Sequence, residues 1–255
     1  MSASTRKDRA TVLSIHLAPP HLSKEEFVRQ LNVAVDELVK IPIAQKNSLK
    51  FEMLIPNDEL GSYLDACGLP KQKLVICLVW ECESEAQTIE VLNDPEFSKL
   101  FMQQETSGVY PGVCTFSTDT LLQFDFSEQE SPNKPVLAVG IFKLPDHMST
   151  EKFHESVRAH TIAFAELPVV QKYQLVNYIL WTPNDRIEQR FKEMGRSPTA
   201  APIVQIIGAQ TWENFKELLS DPDNQKLCAE VMEKFRFGSD SYCFGADVIT
   251  KINKF

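Results

Sequence analysis

An internal repeat constrains the fold of this chain more than any other feature of its sequence. Residues 23–27 (SKEEF) reappear 126 positions later as residues 149–153 (STEKF), and residues 56–58 (PND) reappear 127 positions later as residues 183–185. Matches that keep their order at a nearly constant spacing are typical of a duplicated structural unit. We therefore expect two copies of one unit in a single chain.

The copies are predicted to span residues 1–124 and 136–255, with a polar linker that contains two prolines over residues 125–135. Hydrophobic periodicity predicts the element order β-α-β-β-α-β in both copies. The predicted strands are 12–17, 47–55, 74–80 and one from 113, then 136–143, 173–181, 203–208 and 241–249. The predicted helices are 23–39, 84–92 and one from 94, then 149–165, 211–219 and 222–235, with an additional helix over 185–194.

This element order predicts an α+β fold. One β-α-β-β-α-β unit forms a ferredoxin-like, four-stranded antiparallel sheet with helices on one face. Strands such as 74–80 and 136–142 are apolar on both alternating sets of positions, so the second face of each sheet also needs a cover. We predict two tandem ferredoxin-like repeats that pack sheet against sheet as an intramolecular dimeric α/β barrel. Whether this pseudo-dimer forms a further homodimer stays open.

Composition and charge argue against several classes of partner. With 43% hydrophobic and 24% charged residues, the chain has the composition of a globular protein. Its net charge of -9 comes without any lysine and arginine cluster, which argues against nucleic acids and anionic membranes as partners. The sequence has neither an apolar leader nor a stretch of ~18 apolar residues. We therefore expect a cytoplasmic protein.

Motifs for metals and cofactors are missing from the sequence. The six cysteines form no C-x-x-C pair, and their spacing to the histidines matches no zinc site. We interpret them as reduced, mostly buried thiols. The sequence also lacks a Gly-rich phosphate loop, a G-x-S-x-G motif and an H-E-x-x-H motif. We expect no cofactor and no metal.

Comparison of the two copies singles out a histidine. The first helix of the second copy carries Phe153, Val157 and Phe164 at helical spacing. His160 falls on the same stripe, where the first copy has Ala34. This spacing predicts that the imidazole faces the sheet. Because imidazole titrates near neutral pH, His160 is the candidate general acid or base.

The next strand supplies candidate partners for this histidine. In the first copy, alternate residues of the second strand are apolar. Transferred at a spacing of 126, this pattern predicts that Tyr173, Asn177 and Trp181 face His160. We predict Tyr173 and Asn177 as catalytic residues that polarise a carbonyl or stabilise an enolate, and Trp181 as an apolar wall that binds the substrate.

Four more residues complete a predicted substrate-binding pocket in the second copy. A glycine on a central strand leaves space above the sheet, and a glutamine there replaces a leucine of the first copy. These residues are Gly140, Phe142, Phe164 and Gln205. Together with His160 they favour an apolar pocket with a few polar groups.

A structural interpretation of the same residues stays open. A single histidine on an apolar face is often a core residue whose ring is hydrogen-bonded to a neighbour. Here Asn177 or Gln205 could be that neighbour of His160. Aromatic residues at strand spacing, such as Tyr173 and Trp181, are commonly core residues as well.

The second copy resembles the EthD-like branch of the dimeric α/β-barrel superfamily. The resemblance rests on residues 139–143 (VGIFK), 148–153 (MSTEKF), 158–160 (RAH) and 167–168 (LP). It implies a cavity between sheet and helices, and an activity on aromatic polyketides or other hydrophobic carbonyl compounds, often without a cofactor. It also implies that His160 is the family's histidine. The first copy departs from the pattern at Ala34, which implies a structural half.

Two functional hypotheses follow from these features. The first is a cofactor-independent lyase, isomerase or cyclase that moves a proton of a hydrophobic, aromatic carbonyl compound in the second copy. The alternative is a chain without catalysis, which either binds a hydrophobic small molecule or serves as a structural pseudo-dimer.

Overall fold

The fold is a closed barrel of eight antiparallel strands surrounded by helices. The computed structural model describes residues 4–69, 74–106, 113–126, 134–195, 201–238 and 240–255. The strands in these ranges are β1 (Ser4–Leu17), β2 (Ser48–Asn57), β3 (Val75–Cys82), β4 (Cys114–Asp125), β5 (Val136–Phe142), β6 (Leu175–Asn184), β7 (Ile203–Ala209) and β8 (Tyr242–Asn253). Most of the predicted linker, residues 127–133, lies outside the described part of the chain.

Ten helices lie in the same described ranges. Five precede the linker and five follow it. They are α1 (Lys24–Lys40), α2 (Pro42–Asn47), α3 (Gly61–Ala66), α4 (Glu85–Asn93), α5 (Pro95–Thr106), α6 (Thr150–Ala165), α7 (Val169–Lys172), α8 (Glu188–Glu193), α9 (Trp212–Ser220) and α10 (Pro222–Phe235). No helix of the described residues is long and apolar enough to cross a membrane.

Serine caps fix the start of the first long helix of each half, α1 and α6. The Ser23 hydroxyl accepts a hydrogen bond from the Glu26 backbone N–H (3.2 Å), and Ser149 accepts one from the Lys152 N–H (3.3 Å). Such caps satisfy N–H groups that have no partner within the helix. The helix starts predicted at these two serines are therefore confirmed.

The strand order around the barrel is β1-β3-β2-β8-β5-β7-β6-β4. Within the first half the four strands lie in the order β4-β1-β3-β2, and within the second half in the matching order β8-β5-β7-β6. Pairing of β2 with β8 and of β4 with β6 joins the halves and closes the barrel. The predicted antiparallel sheets and barrel closure are thus confirmed.

Three apolar clusters fill the molecule. One fills the barrel interior and takes side chains from both halves, among them Leu13, Val79, Ile141 and Phe244. The other two lie outside the barrel, each between one four-stranded sheet and its helices. Because strand residues alternate between faces, each sheet contributes to the interior and to one outer cluster.

Two short helices cross between the halves. Helix α3 follows β2, but Leu60 and Leu64 around it pack into the outer cluster of the second half. Helix α8 follows β6, and Phe191 packs into the outer cluster of the first half. Each helix ends two residues before a Gly with φ +69°, Gly68 and Gly195, at a spacing of 127. The sequence predicted only α8, because the segment of α3 begins with a glycine and has a weak apolar pattern.

We predict that Phe191→Ala destabilises the protein by about 3–5 kcal/mol, because it removes a fully buried ring from the first-half cluster. Gln189→Ala, an exposed position of the same helix, should change the free energy of unfolding by about 0.5 kcal/mol or less. Urea unfolding measures both. Equal effects of the two substitutions would show that α8 does not contribute to the core.

Candidate functional site

A cavity of about 140 Å³ lies in the second half, between the outer face of its sheet and the helices. Its walls come from all four strands of the second half and from α6, α9 and α10, and α3 of the first half closes one side. Most of the lining is apolar. Representative wall residues are Leu64, Phe142, Phe164, Ile207, Phe215 and Leu219. The cavity thus lies in the second copy, where the sequence analysis predicted a pocket.

The corresponding space in the first half is a cavity of about 30 Å³. Three large rings help to fill it, those of Trp80, Phe97 and Phe101. The positions 127 residues later line the larger cavity and hold smaller side chains, Ile207, Asn224 and Cys228. Helix α1 also packs more closely on α5 than α6 packs on α10. The second-half cavity is larger because it lacks these three rings and because α6 and α10 pack less closely than α1 and α5.

His160 lies on α6 at the wall of this cavity and is partly exposed. Burial lowers the pKa of the imidazole below its ordinary value of 6.5, the positive charge of Lys234 lowers it further, and Glu230 opposes the change. Within the described residues, no group hydrogen-bonds the ring. At neutral pH the ring is therefore mainly uncharged and able to accept a proton.

The face of α6 that packs on the sheet differs by one position from the prediction. Thr161 is the buried residue there, only 1% exposed, and His160 sits at the edge of that face. Spacings of 4-3-4 and 4-4-3 residues both fit a helical period, so the sequence alone does not separate them. The prediction that His160 itself packs on the sheet is wrong, although the ring still reaches the cavity.

Tyr178 is a cavity residue that the sequence analysis missed. Its hydroxyl donates to Thr161 Oγ1 (3.3 Å), and Thr161 donates to the Val157 carbonyl (2.8 Å). Its ring stands edge-to-face against Phe164, with centroids 5.4 Å apart. Complete burial raises the pKa of Tyr178, so the phenol keeps its proton. Tyr178 therefore forms a rigid part of the cavity wall, and its hydroxyl proton is already engaged in the hydrogen bond to Thr161.

Three predicted site residues lie away from the cavity. Tyr173 follows α7, outside the strand, and its hydroxyl donates to Asp221 Oδ2 (2.7 Å). Trp181 lies in the barrel interior. Asn177 pairs with Gly208 on the interior side of the sheet. The structure therefore does not bring these three side chains to His160. The facing predicted for Asn177 and Trp181 is wrong, whereas Tyr173 does pack into the outer cluster on the helix side of the second-half sheet.

The reason is a one-residue insertion before β6. Gln174, with φ +51°, precedes the strand, and strand positions then correspond at a spacing of 127 rather than 126. Phe51 of the first-half outer cluster thus corresponds to Tyr178 of the second. A slip of one residue moves every strand side chain to the opposite face. The sequence PND recurs at residues 56–58 and 183–185, a spacing of 127. This spacing was the signal from which the facing of Tyr178 could have been predicted.

The other five predicted residues line the cavity, namely Gly140, Phe142, His160, Phe164 and Gln205. Gly140, however, does not leave open space. A Cβ atom added there would lie 2.5 Å from Cε2 of Phe142, so the glycine makes room for the Phe142 ring. That ring packs in turn against Phe237, with centroids 4.6 Å apart.

The described lining contains no aspartate, glutamate, lysine or arginine. Its polar side chains are His160, Tyr178, Gln205 and Asn224, together with the thiols of Cys228 and Cys243. Burial raises the pKa of Cys243 to about 12, so that thiol stays protonated. In the described part of the chain, no group of three or more His, Cys, Asp or Glu residues could hold a metal ion.

Proteins of known structure share the fold of this chain. The sequence matches no protein-family model and no curated protein. The structure is similar to that of an anthrone oxidase-like protein, with a TM-score of 0.61, 8% identity and coverage of 100% of this chain and 98% of that one. It is also similar to a proposed monooxygenase from Fusobacterium nucleatum, with a TM-score of 0.54, 7% identity and coverage of 96% and 94%. At this identity the likeness concerns the fold alone.

The charges around His160 predict opposite effects of two substitutions. Lys234→Gln removes a repulsion on the imidazolium and should raise the pKa of His160, whereas Glu230→Gln removes an attraction and should lower it. Histidine ring signals followed by NMR during a pH titration measure both, with His160→Gln to assign the resonance. A wild-type midpoint above 6.5 would contradict the described burial.

We also predict that Cys228→Phe, which restores the ring found at Phe101, closes the cavity. Binding of toluene, measured as a rise in melting temperature, should weaken by about tenfold or more, because the ligand and the new ring compete for one space. Glu233→Phe, at an exposed position of the same helix, serves as the control and should leave toluene binding unchanged. Toluene binding that survives Cys228→Phe would place the ligand elsewhere.

Proposed function

We propose that this chain binds a hydrophobic carbonyl compound in the second-half cavity, and that His160 moves a proton of that compound without a cofactor. One observation carries the proposal: a mainly uncharged imidazole lines an apolar cavity of about 140 Å³. The reaction class would be that of a lyase, isomerase or cyclase. For a carbonyl compound, each of these reactions can begin with removal of a proton from the carbon next to the carbonyl group.

The side chains of the cavity suit this chemistry. A general base works best when its pKa lies near the pH of the reaction and its conjugate acid can return the proton. His160 is uncharged at neutral pH and can do both. The amides of Gln205 and Asn224 line the same cavity, and an amide N–H can stabilise the negative charge that develops on a carbonyl oxygen.

An empty cavity of this size is a cost to the folded state. Side chains that line unfilled space lose the packing contacts that a filled core would supply. The first half shows that the same arrangement of strands and helices can be filled with three large rings. Retention of the cavity in one half alone supports a ligand-binding role.

We further propose that the two halves are tandem ferredoxin-like repeats of the EthD-like type, divided near residues 125–135. The matching strand orders of the halves support this proposal, as do the repeated sequence segments at spacings of 126 and 127. The similarity of the fold to an anthrone oxidase-like protein agrees with it. In that family pattern, His160 would be the reactive histidine and Ala34 its counterpart in a structural half.

A second candidate function is ligand binding without catalysis. The specific observation in its favour is the absence of a described hydrogen-bond partner for the His160 ring. Catalytic bases are commonly oriented by a third group, and in the described residues this ring has none. In this case the cavity would store or carry a hydrophobic molecule, and His160 would only line its wall.

Exchange of carbon-bound hydrogen tests the proposal directly. In D₂O, His160 would remove a proton from the methyl group of acetophenone and a deuteron would replace it, which NMR detects. We expect His160→Gln to reduce the enzyme-catalysed exchange rate by about 100-fold or more while acetophenone still binds. The wild-type rate should fall as the pH drops through the pKa of His160, which lies below the ordinary value of 6.5, because the active form is the neutral ring. Binding without any exchange in the wild type would favour the carrier function.

A further inference from the structure

The volume of the cavity limits the size of its ligand. A cavity of about 150 Å³ lined by aliphatic and aromatic side chains accommodates one benzene ring. The second-half cavity, at about 140 Å³, is of that size. Helices α6 and α9 and the sheet beneath them have well-packed, fully buried side chains such as Phe153, Phe215 and Tyr178. The enclosed space therefore fits one ring with a short substituent, and a ligand of two fused rings would extend beyond it.

The uncharged lining of the cavity also limits the charge that its ligand can carry. No described residue of the cavity wall carries a formal charge at neutral pH, since the pKa of His160 is lowered. A carboxylate in such a space would lose its hydration and gain no opposite charge, which is strongly unfavourable. The ligand should therefore be uncharged.

Asn224 is a deeply buried polar group of the lining that the packing leaves available. It lies in the first turn of α10, is 3% exposed, and lines the cavity. Its one hydrogen-bond contact among the described residues runs from Nδ2 to Cys228 Sγ at 3.8 Å. Sulfur is a weak acceptor, so the amide keeps donor and acceptor capacity for another molecule. The position 127 residues earlier is Phe97, so this amide replaces a ring that fills space in the first half.

We infer that Asn224 determines specificity by hydrogen-bonding the oxygen of an uncharged, single-ring carbonyl or hydroxyl compound. This inference rests on the proposed function, because it names the ligand class of the same cavity. A buried polar group needs a hydrogen-bond partner, and the oxygen of such a ligand supplies one. The ring of the ligand then contacts the walls formed by Phe164 and Tyr178.

A series of four ligands tests the predicted limits on the size and the charge of the ligand. The probes are acetophenone with one ring, 2-acetonaphthone with two, anthrone with three, and benzoate as the charged analogue. Titration calorimetry with the full chain should give the tightest binding for acetophenone, and binding of the other three should be weaker by about tenfold or more. Anthrone or benzoate binding as tightly as acetophenone would overturn the inference.

A substitution tests the role of Asn224. Asn224→Leu keeps a similar volume and removes the amide. It should weaken the binding of acetophenone by about fivefold to tenfold, the effect of one hydrogen bond. Binding of α-methylstyrene, which has the same shape without the oxygen, should stay within about twofold. Glu233→Leu, an exposed position of α10, should change neither. Equal losses for both ligands would show that Asn224 only shapes the wall.

The outcomes separate the inference from the proposed function. If Asn224→Leu does not fold, Asn224→Asp provides the second variant, because its carboxylate should weaken acetophenone binding while the protein retains a polar group at this site. If Cys228→Phe leaves acetophenone binding unchanged, the cavity is not the binding site and the proposed function fails. If Cys228→Phe abolishes binding but the ligand series shows no preference for one neutral ring, only the inference fails.

Discussion

The pairing of β2 with β8 and of β4 with β6 is the interaction on which the rest of the structure depends. These two seams join two four-stranded sheets into a closed barrel, so each of the eight described strands is paired along both edges. Closure also gives both sheets a shared apolar interior and leaves one face of each for its helices. Helices α3 and α8 then cross the seams, and each covers the helical layer of the other half. The cavity wall therefore includes residues from both halves.

Within this frame, a few side chains decide which half is filled and which is open. The first half has Trp80, Phe97 and Phe101 where the second has Ile207, Asn224 and Cys228.

The two halves also differ in where their polar groups lie. In the first half these groups are on the sheet, where the Ser14 hydroxyl lies 2.9 Å from both His16 Nε2 and Thr115 Oγ1. The second half has its histidine and asparagine on helices above the sheet. One backbone arrangement thus supports a packed half and a half with a site.

The sequence predicted the barrel because the repeat and the two-sided apolar strands leave few other solutions. It also predicted five cavity residues, since a comparison of the halves shows where polar groups replace apolar ones, as His160 does for Ala34. It failed at β6, where an inserted residue before the strand reverses the faces of Tyr178 and Asn177. It also missed Asn224 as a wall residue. Helix spacing and the volume left by absent rings depend on packing, which a pattern of residue types does not contain.

Of the two cavities that lie between sheet and helices in the described residues, only that of the second half is large enough for a small apolar ligand. A crystal pressurised with xenon tests this claim most directly, because xenon enters dry apolar cavities without a change in the protein. We expect a strong xenon peak beside Phe164 and Tyr178, between α6 and α10, and a much weaker peak or none among the rings of the first half. Equal peaks in both halves, or no peak beside these residues, would contradict it.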